Sequence, residues 1–321
     1  MNILGICLSP GKGGLELYAH RAIRALQLAG HDCHFAIQPG SFLRQLEWQI
    51  PLIELRPAFR NLPLVTARRL ARYIDAHKID IIHMHWNKDL NLVALAKALS
   101  RRKPRLVYTR HMEITRSKLD PYHRILYAQV NRLLVISRFV ENQAFRYLPL
   151  ARDQVSLLYI GVAETMPASD GECNQLIQDD NDRKDKFVIG MIGRIEYGKG
   201  QHVLIEAVSL LNNKNSGLQV VMAGPINDGK YFEQLNQQIQ DKQLNERVKY
   251  LGVSRDPGKL MSCCDVVVLT TYCETFGLTL VEAMRAGTAV IGSRAGGVLE
   301  IIIRKPGDAD QIGSGRQAVC R

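Results

Sequence analysis

The chain has 321 residues, 46% of them hydrophobic and 23% charged, with a formal net charge of +11. That length exceeds one hydrophobic core and suits two domains of about 150 residues each. The balance is that of a globular protein, and no apolar run approaches the ~20 residues that a membrane span needs.

Apolar strands alternate with amphipathic helices along the whole chain, a pattern that predicts α/β domains with parallel sheets. Asn2–Leu8 reads as a first strand. It is not expected to be a signal peptide, because it shows no basic leader and runs into Pro10-Gly-Lys-Gly-Gly14. A helix follows over Leu15–Ala29, stopped by Gly30, then a short strand over His34–Ile37. Leu62–His77 is an amphipathic basic helix and Ile79–Met84 a strand. Helix Leu90–Leu99, strand Leu106–Thr109, a helix near Tyr122–Val130, strand Leu133–Ile136 and helix Arg138–Tyr147 complete the first unit. Residues 163–186 are polar and without periodicity, so they read as a linker between a first domain, 1–162, and a second, 187–302. The second unit begins with strand Phe187–Ile192. It continues through helix Val203–Leu211, strand Leu218–Met222, helix Tyr231–Gln240, strand Arg247–Leu251, a helix over Pro257–Cys263 and strand Asp265–Leu269. Helix Leu278–Ala286 ends at Gly287. Residues 303–321 show no periodic apolar face and read as an atypical tail.

Charge is uneven. Residues 1–150 carry 23 Lys and Arg against 10 Asp and Glu, and the remainder 19 against 21. A basic first half suits an anionic partner such as a phosphorylated acceptor or an acidic membrane surface. Its densest pieces are Arg68-Arg69-Leu-Ala-Arg72 and Arg101-Arg102-Lys103-Pro-Arg105. Neither is interleaved with aromatic residues, so nucleic acid is not expected. The seven cysteines form no C-x-x-C pair. Free, buried thiols in a reducing compartment are therefore expected, which places the chain in the cytoplasm.

The chemistry concentrates on loops that follow strands. Glu274-Thr-Phe-Gly-Leu-Thr-Leu-Val-Glu282 sets one carboxylate on a strand-to-helix loop and a second inside the helix. Between them lie the backbone amides of Gly277 to Thr279, at the positive end of the helix dipole, where phosphate is favoured. After strand Phe187–Ile192 comes Gly193-Arg194-Ile-Glu-Tyr-Gly-Lys199-Gly200. Arg194 and Lys199 are permanent or near-permanent cations suited to a diphosphate. Gly13 and Gly14 open the first helix, and their bare backbone allows close approach of a ligand. His83 and His85 alternate at the end of one strand, and His111 follows the next.

Taken together and in this order, these segments resemble the E-x7-E signature, the Gly-Arg…Lys-Gly loop and the N-terminal glycine loop of retaining glycosyltransferases of family 4. The resemblance implies the GT-B fold, two Rossmann-like domains facing across a cleft, the first binding acceptor and the second nucleotide-sugar. By the same resemblance, Arg194 and Lys199 bind the diphosphate, Glu282 the ribose hydroxyls and Glu274 the transferred sugar. Val253, Phe276, Gly277 and Leu278 line the donor site with Gly13 and Gly14, and His111 lines the sugar pocket. Arg110 and Lys88 are further candidates to meet acceptor phosphate, from their charge alone. The implied reaction is hexosyl transfer from a nucleoside diphosphate sugar, with retention, to a cell-surface glycan or glycolipid of lipopolysaccharide or lipid-linked oligosaccharide type. Domain closure would exclude water. No cofactor or metal is expected, and the basic first domain suits peripheral contact with an anionic membrane. Members of this family continue beyond the Gly296-Gly-Val-Leu-Glu300 segment with further strand and helices, so the tail suggests an altered or truncated end. The alternative is a non-catalytic, nucleotide-binding relative.

Overall fold

The structure is a computed structural model. It describes residues 1–57, 62–162, 164–178, 186–211 and 217–302, and the backbone of 317–320. The chain divides into two compact units, Met1–Tyr159 and Ile160–Arg321.

The first unit is a seven-stranded, wholly parallel sheet. In chain order its strands are β1 (Asn2–Cys7), β2 (Asp32–Ile37), β3 (Leu52–Glu54), β4 (Ile81–Met84), β5 (Arg105–Arg110), β6 (Arg132–Val135) and β7 (Val155–Leu157). Their spatial order is β3-β2-β1-β4-β5-β6-β7. Helices α1 (Gly14–Leu28), α2 (Leu64–Ala76), α3 (Leu90–Leu99), α4 (Pro121–Tyr127) and α5 (Arg138–Tyr147) make the crossovers. The central strands are buried on both faces, as the continuous runs Ile3-Leu-Gly-Ile-Cys7 and Cys33–Ile37 require of parallel strands.

The second unit repeats the design. Strands β8 (Phe187–Ile192), β9 (Leu218–Ala223), β10 (Val248–Tyr250), β11 (Val266–Leu269), β12 (Ala289–Ser293) and β13 (Gln317–Cys320) lie in the order β10-β9-β8-β11-β12-β13. Helices α7 (Gln201–Leu211), α8 (Gly229–Asp241), α9 (Pro257–Ser262), α10 (Leu278–Arg285) and the short α11 (Val298–Ile301) cover its faces. One core cluster gathers Ile205, Val208, Leu235 and Val220 on one face, and another gathers Val267, Leu280, Ala283 and Val298 on the other. In each sheet the strand order reverses once, between β1 and β4 and between β8 and β11. Such reversals leave a crevice at the strand C-termini because the flanking connections depart to opposite faces.

Several elements differ from the sequence-based expectation. β3 and β7 have three residues each, and β12 is five residues long and begins just after Gly287-Thr288, so none shows enough periodicity to be read. The segment expected to be a plain linker, 163–186, contains α6 (Asp170–Leu176), capped by Ser169 and Glu172. This helix buries Cys173 and Ile177 in the core of the second unit. The cysteine expectation is also corrected: Cys173 and Cys263 form a disulfide across 90 residues, with Cα atoms 5.2 Å apart. A pairing of that range depends on α6 docking against α9, which spacing does not reveal. Cys7, Cys33 and Cys264 are buried thiols and Cys273 is exposed. Of the atypical tail, 303–316 and 321 lie outside the described residues, and 317–320 pair along β12. Among the described residues, no helix is long and apolar enough to cross a membrane.

If the disulfide holds α6 in place, Cys263→Ser should lower the unfolding free energy by about 2–4 kcal/mol. Thermal melts of the wild-type chain with and without reductant check this, and coincident melts would contradict it.

Candidate functional site

In the second unit the site forms where β8 and β11 part. The loop after β8 carries Arg194 and Lys199, and the loop after β11 carries Glu274. Two threonines at the end of β11 tie these loops together: Thr270 donates to the Gly200 carbonyl (2.7 Å) and Thr271 to that of Gly198 (3.0 Å). Tyr272 adds its backbone N–H to Gly198 (3.1 Å). The contact is so close that a side chain at Gly200, whose φ is +74°, would lie 2.2 Å from the Thr270 carbonyl oxygen.

The tie brings Lys199 and Glu274 into an ion pair of 2.7 Å, with each side chain only 18% exposed. Arg194 is half exposed and pairs with Glu196 at 3.0 Å. Both expected cations are thus oriented by carboxylates of their own unit. Gly296 and Gly297 buttress the Glu274 loop from behind. The Gly297 N–H donates to the Glu274 carbonyl (2.8 Å), and a Cβ at Gly296 (φ +55°) would fall 2.1 Å from the same oxygen.

α10 starts without a side-chain cap. Gly277 precedes it in a left-handed conformation, φ +98°. Its first-turn Thr279 lines a cavity of about 20 Å³ with Lys199, Gly193 and Gln201, so cation and helix N-terminus address one space. Leu278 and Glu282 are half-buried on this helix, whereas Phe276 is buried and offers backbone only. Val253 is exposed after β10, next to Gly252, whose carbonyl accepts from the Gly224 N–H.

In the first unit the glycine loop after β1 is organised by a residue outside the expected set, Glu16. Its carboxylate accepts from the Ser9 hydroxyl and from the Gly13 N–H (3.0 Å), and it is buried. The signal was present, since Glu three residues after a helix-opening position is a capping pattern. A carboxylate at the start of α1 already meets the dipole, which disfavours a phosphate beside Gly13 and Gly14. The buried Asp89 likewise accepts from the Leu8 N–H (2.9 Å) and holds the end of β1.

Period two puts His83 and His85 on one face of β4 and its extension. Thr109 and His111 share the matching face of β5 and its extension. Accordingly His83 Nε2 meets Thr109 Oγ1 at 2.7 Å, and His85 Nδ1 lies 3.4 Å from His111 Nε2. Tyr18 packs edge-on against His111, with ring centroids 4.8 Å apart. Burial pushes His83 down to about 4 and His111 to about 3, and lowers His85. All three are neutral at pH 7. The role expected for Arg110 is corrected: it is buried and donates to the Met112 and Glu113 carbonyls and the Tyr108 hydroxyl, which staples its own loop. Lys88 lies over the Trp86 ring.

Among the described residues, no group of three His, Cys, Asp or Glu is arranged to hold a metal ion.

Residues 12–165 match the family described as Glycosyltransferase Family 4, and residues 174–306 match Glycosyl transferases group 1. The N-acetyl-alpha-D-glucosaminyl L-malate synthase of Bacillus anthracis is 23% identical over 316 residues, covering 93% of this chain and 80% of the relative. The O-antigen biosynthesis glycosyltransferase WclY of Escherichia coli is 24% identical, over 67% of this chain and 61% of the relative. Among solved structures, Anabaena Alr3699/HepE in complex with UDP-glucose superposes with a TM-score of 0.76 at 24% identity, over 95% of this chain and 83% of that one. Each unit is thus a Rossmann-like domain of the GT-B type.

Two outcomes test this geometry. Gly296→Ala should destabilise the second unit by more than about 1 kcal/mol, read as a lower melting temperature; an unchanged melt would show that the loop yields freely. The histidines bind protons in the unfolded chain below its ordinary value near 6.5 but resist them when folded. Stability should therefore be full above about pH 7 and fall as pH drops from 6.5 toward 4.5, by up to about tenfold in the folding constant per histidine per pH unit. Denaturant midpoints at pH 7.5, 6.0 and 5.0 measure this, and a flat profile would refute it.

Proposed function

The chain belongs to the family 4 glycosyltransferases, and from that premise we propose that it transfers a hexosyl group from a nucleoside diphosphate sugar to a glycan or glycolipid acceptor with retention of configuration. The observation that carries the reading is the junction of Lys199, Glu274 and the uncapped start of α10 at one strand reversal. Diphosphate needs fixed positive charge and amide donors, and a sugar needs a carboxylate acceptor; this junction offers all three.

In this proposal Arg194 and Lys199 neutralise the leaving diphosphate. Glu282 accepts from the ribose hydroxyls and Glu274 from the transferred sugar. Gly277 and Leu278 bring backbone to the phosphates, while Val253 lies on the nucleobase side. Lys199 exchanges part of its pairing with Glu274 for the incoming phosphate, which leaves the carboxylate turned toward the sugar. The bond from the anomeric carbon to the phosphate oxygen breaks, and the acceptor oxygen bonds on the same face. The acceptor proton passes to the departing phosphate, so no side-chain nucleophile is required. Within the first unit we assign neutral His111 a hydrogen bond to a sugar hydroxyl, and Gly13 and Gly14 the loop that opens α1. The two cations supply the charge that a divalent metal would otherwise bring, so no cofactor is called for.

The complexes with UDP-glucose and the role of a relative in O-antigen synthesis make UDP the first donor to try and a cell-surface glycan the first acceptor. A membrane-borne acceptor suits the exposed Leu119, Tyr122 and Ile125 of the first unit, which stand among Arg116, Lys118 and Arg124. We place the chain at the surface of a membrane on that ground.

UDP should raise the melting temperature of the wild-type chain, and Arg194→Ala should weaken UDP binding roughly 10- to 100-fold, as loss of a charge-assisted phosphate contact does. Lys199→Ala is the poorer test because it strands Glu274 in a half-buried site. No stabilisation by UDP, GDP or ADP would reject the reading. Binding without sugar transfer to any offered acceptor would favour a non-catalytic nucleotide-binding relative.

A further inference from the structure

The loops that carry Lys199 and Glu274 also carry two exposed tyrosines. Tyr197 is 60% and Tyr272 56% exposed. Their rings are stacked at 5.6 Å with 15° between planes, and both lie nearly parallel to the imidazole of His202 on α7, at 4.7 Å and 5.9 Å. Three near-parallel rings, two of them more than half open to solvent, make an apolar platform where a loop would ordinarily be polar.

The platform is built rather than accidental. The backbone N–H of His202 donates to the hydroxyl oxygen of the buried Tyr231 (3.1 Å), so that hydroxyl is free to donate to His202 Nδ1 (2.7 Å). That fixes the hydrogen of the imidazole on Nε2, which donates to the Tyr272 oxygen (2.9 Å). Tyr272 in turn stacks on Tyr197. The Tyr231 ring also packs edge-on against Tyr197, with centroids 5.7 Å apart. Ring orientation is therefore set from the core outward, which lowers the ordering cost of binding a flat ligand.

We propose that Tyr197, Tyr272 and His202 form a stacking subsite for a pyranose ring of the acceptor. The inference rests on the transferase reading above. A pyranose presents a face of C–H groups that packs on aromatic rings and a rim of hydroxyls that meets the tyrosine hydroxyls. With the nucleobase beside Val253 after β10, as in the donor reading above, the platform stands two strands away on the loops after β8 and β11, which also carry Lys199 and Glu274, so it is open to a sugar.

The test uses uncharged probes, methyl α-D-glucopyranoside and methyl β-D-galactopyranoside, in saturation-transfer NMR with the full chain. The expected result is transfer to ring C–H protons of at least one probe, with and without saturating UDP. Transfer should fall at least fivefold in Tyr197→Ala and Tyr272→Ala and persist in Tyr272→Phe, which keeps the ring. UDP-induced thermal shifts of the same variants should match the wild type, which also confirms that they fold. No transfer in the wild-type chain, or transfer indifferent to both alanine variants, would overturn the subsite. Displacement of the probe by UDP, or loss of the UDP shift in the variants, would overturn it too, by giving the platform to the nucleotide. Failure of the donor reading is separate, since it removes the UDP shift from the wild-type chain itself.

Discussion

Everything in the second unit's site depends on the latch between the end of β11 and the loop after β8. At a reversal of strand order, two adjacent loops leave the sheet toward opposite faces, and their backbone polar groups would face each other unpaired. Thr270 and Thr271 resolve this with their hydroxyls on the Gly200 and Gly198 carbonyls. Without that contact Lys199 would not reach Glu274, and Tyr197 would not stack on Tyr272. Gly200 and Gly296 are glycines because a carbonyl oxygen occupies the space of their missing Cβ.

The two units share a topology and use it differently. Around β8 and β11 the loops carry exposed or half-buried ionic groups, suited to a charged ligand. Around β1 and β4 the corresponding loops carry neutral, buried histidines and an internal carboxylate, Glu16, where a phosphate would otherwise bind. Parallel sheets create the crevice in both cases; side-chain chemistry decides what each crevice accepts. The first unit offers hydrogen bonds and shape, the second charge.

Much of the fold was legible because buried parallel strands and amphipathic helices have distinct periods. β1, β8, β11, α2 and α10 stand close to their expected bounds. What escaped has a physical cause in each case. β3 and β7 are too short to show a period, and α6 is polar on the outside with a single buried face. The Cys173–Cys263 bond follows from the docking of α6, not from spacing. Arg110 looked like a ligand for phosphate because charge is visible in a sequence and burial is not. In place it is spent on three groups of its own neighbourhood.

The two-unit α/β plan, the order of the loops and the residue types set on them are written in local pattern, because hydrophobic period, glycine placement and fixed charge are local properties. Which of those residues meet is a matter of the folded chain. Lys199 with Glu274, Tyr197 with Tyr272, His85 with His111 and Cys173 with Cys263 are joined across 75, 75, 26 and 90 positions. Such pairings arise from strand order and close packing, which bring together groups that no local pattern relates.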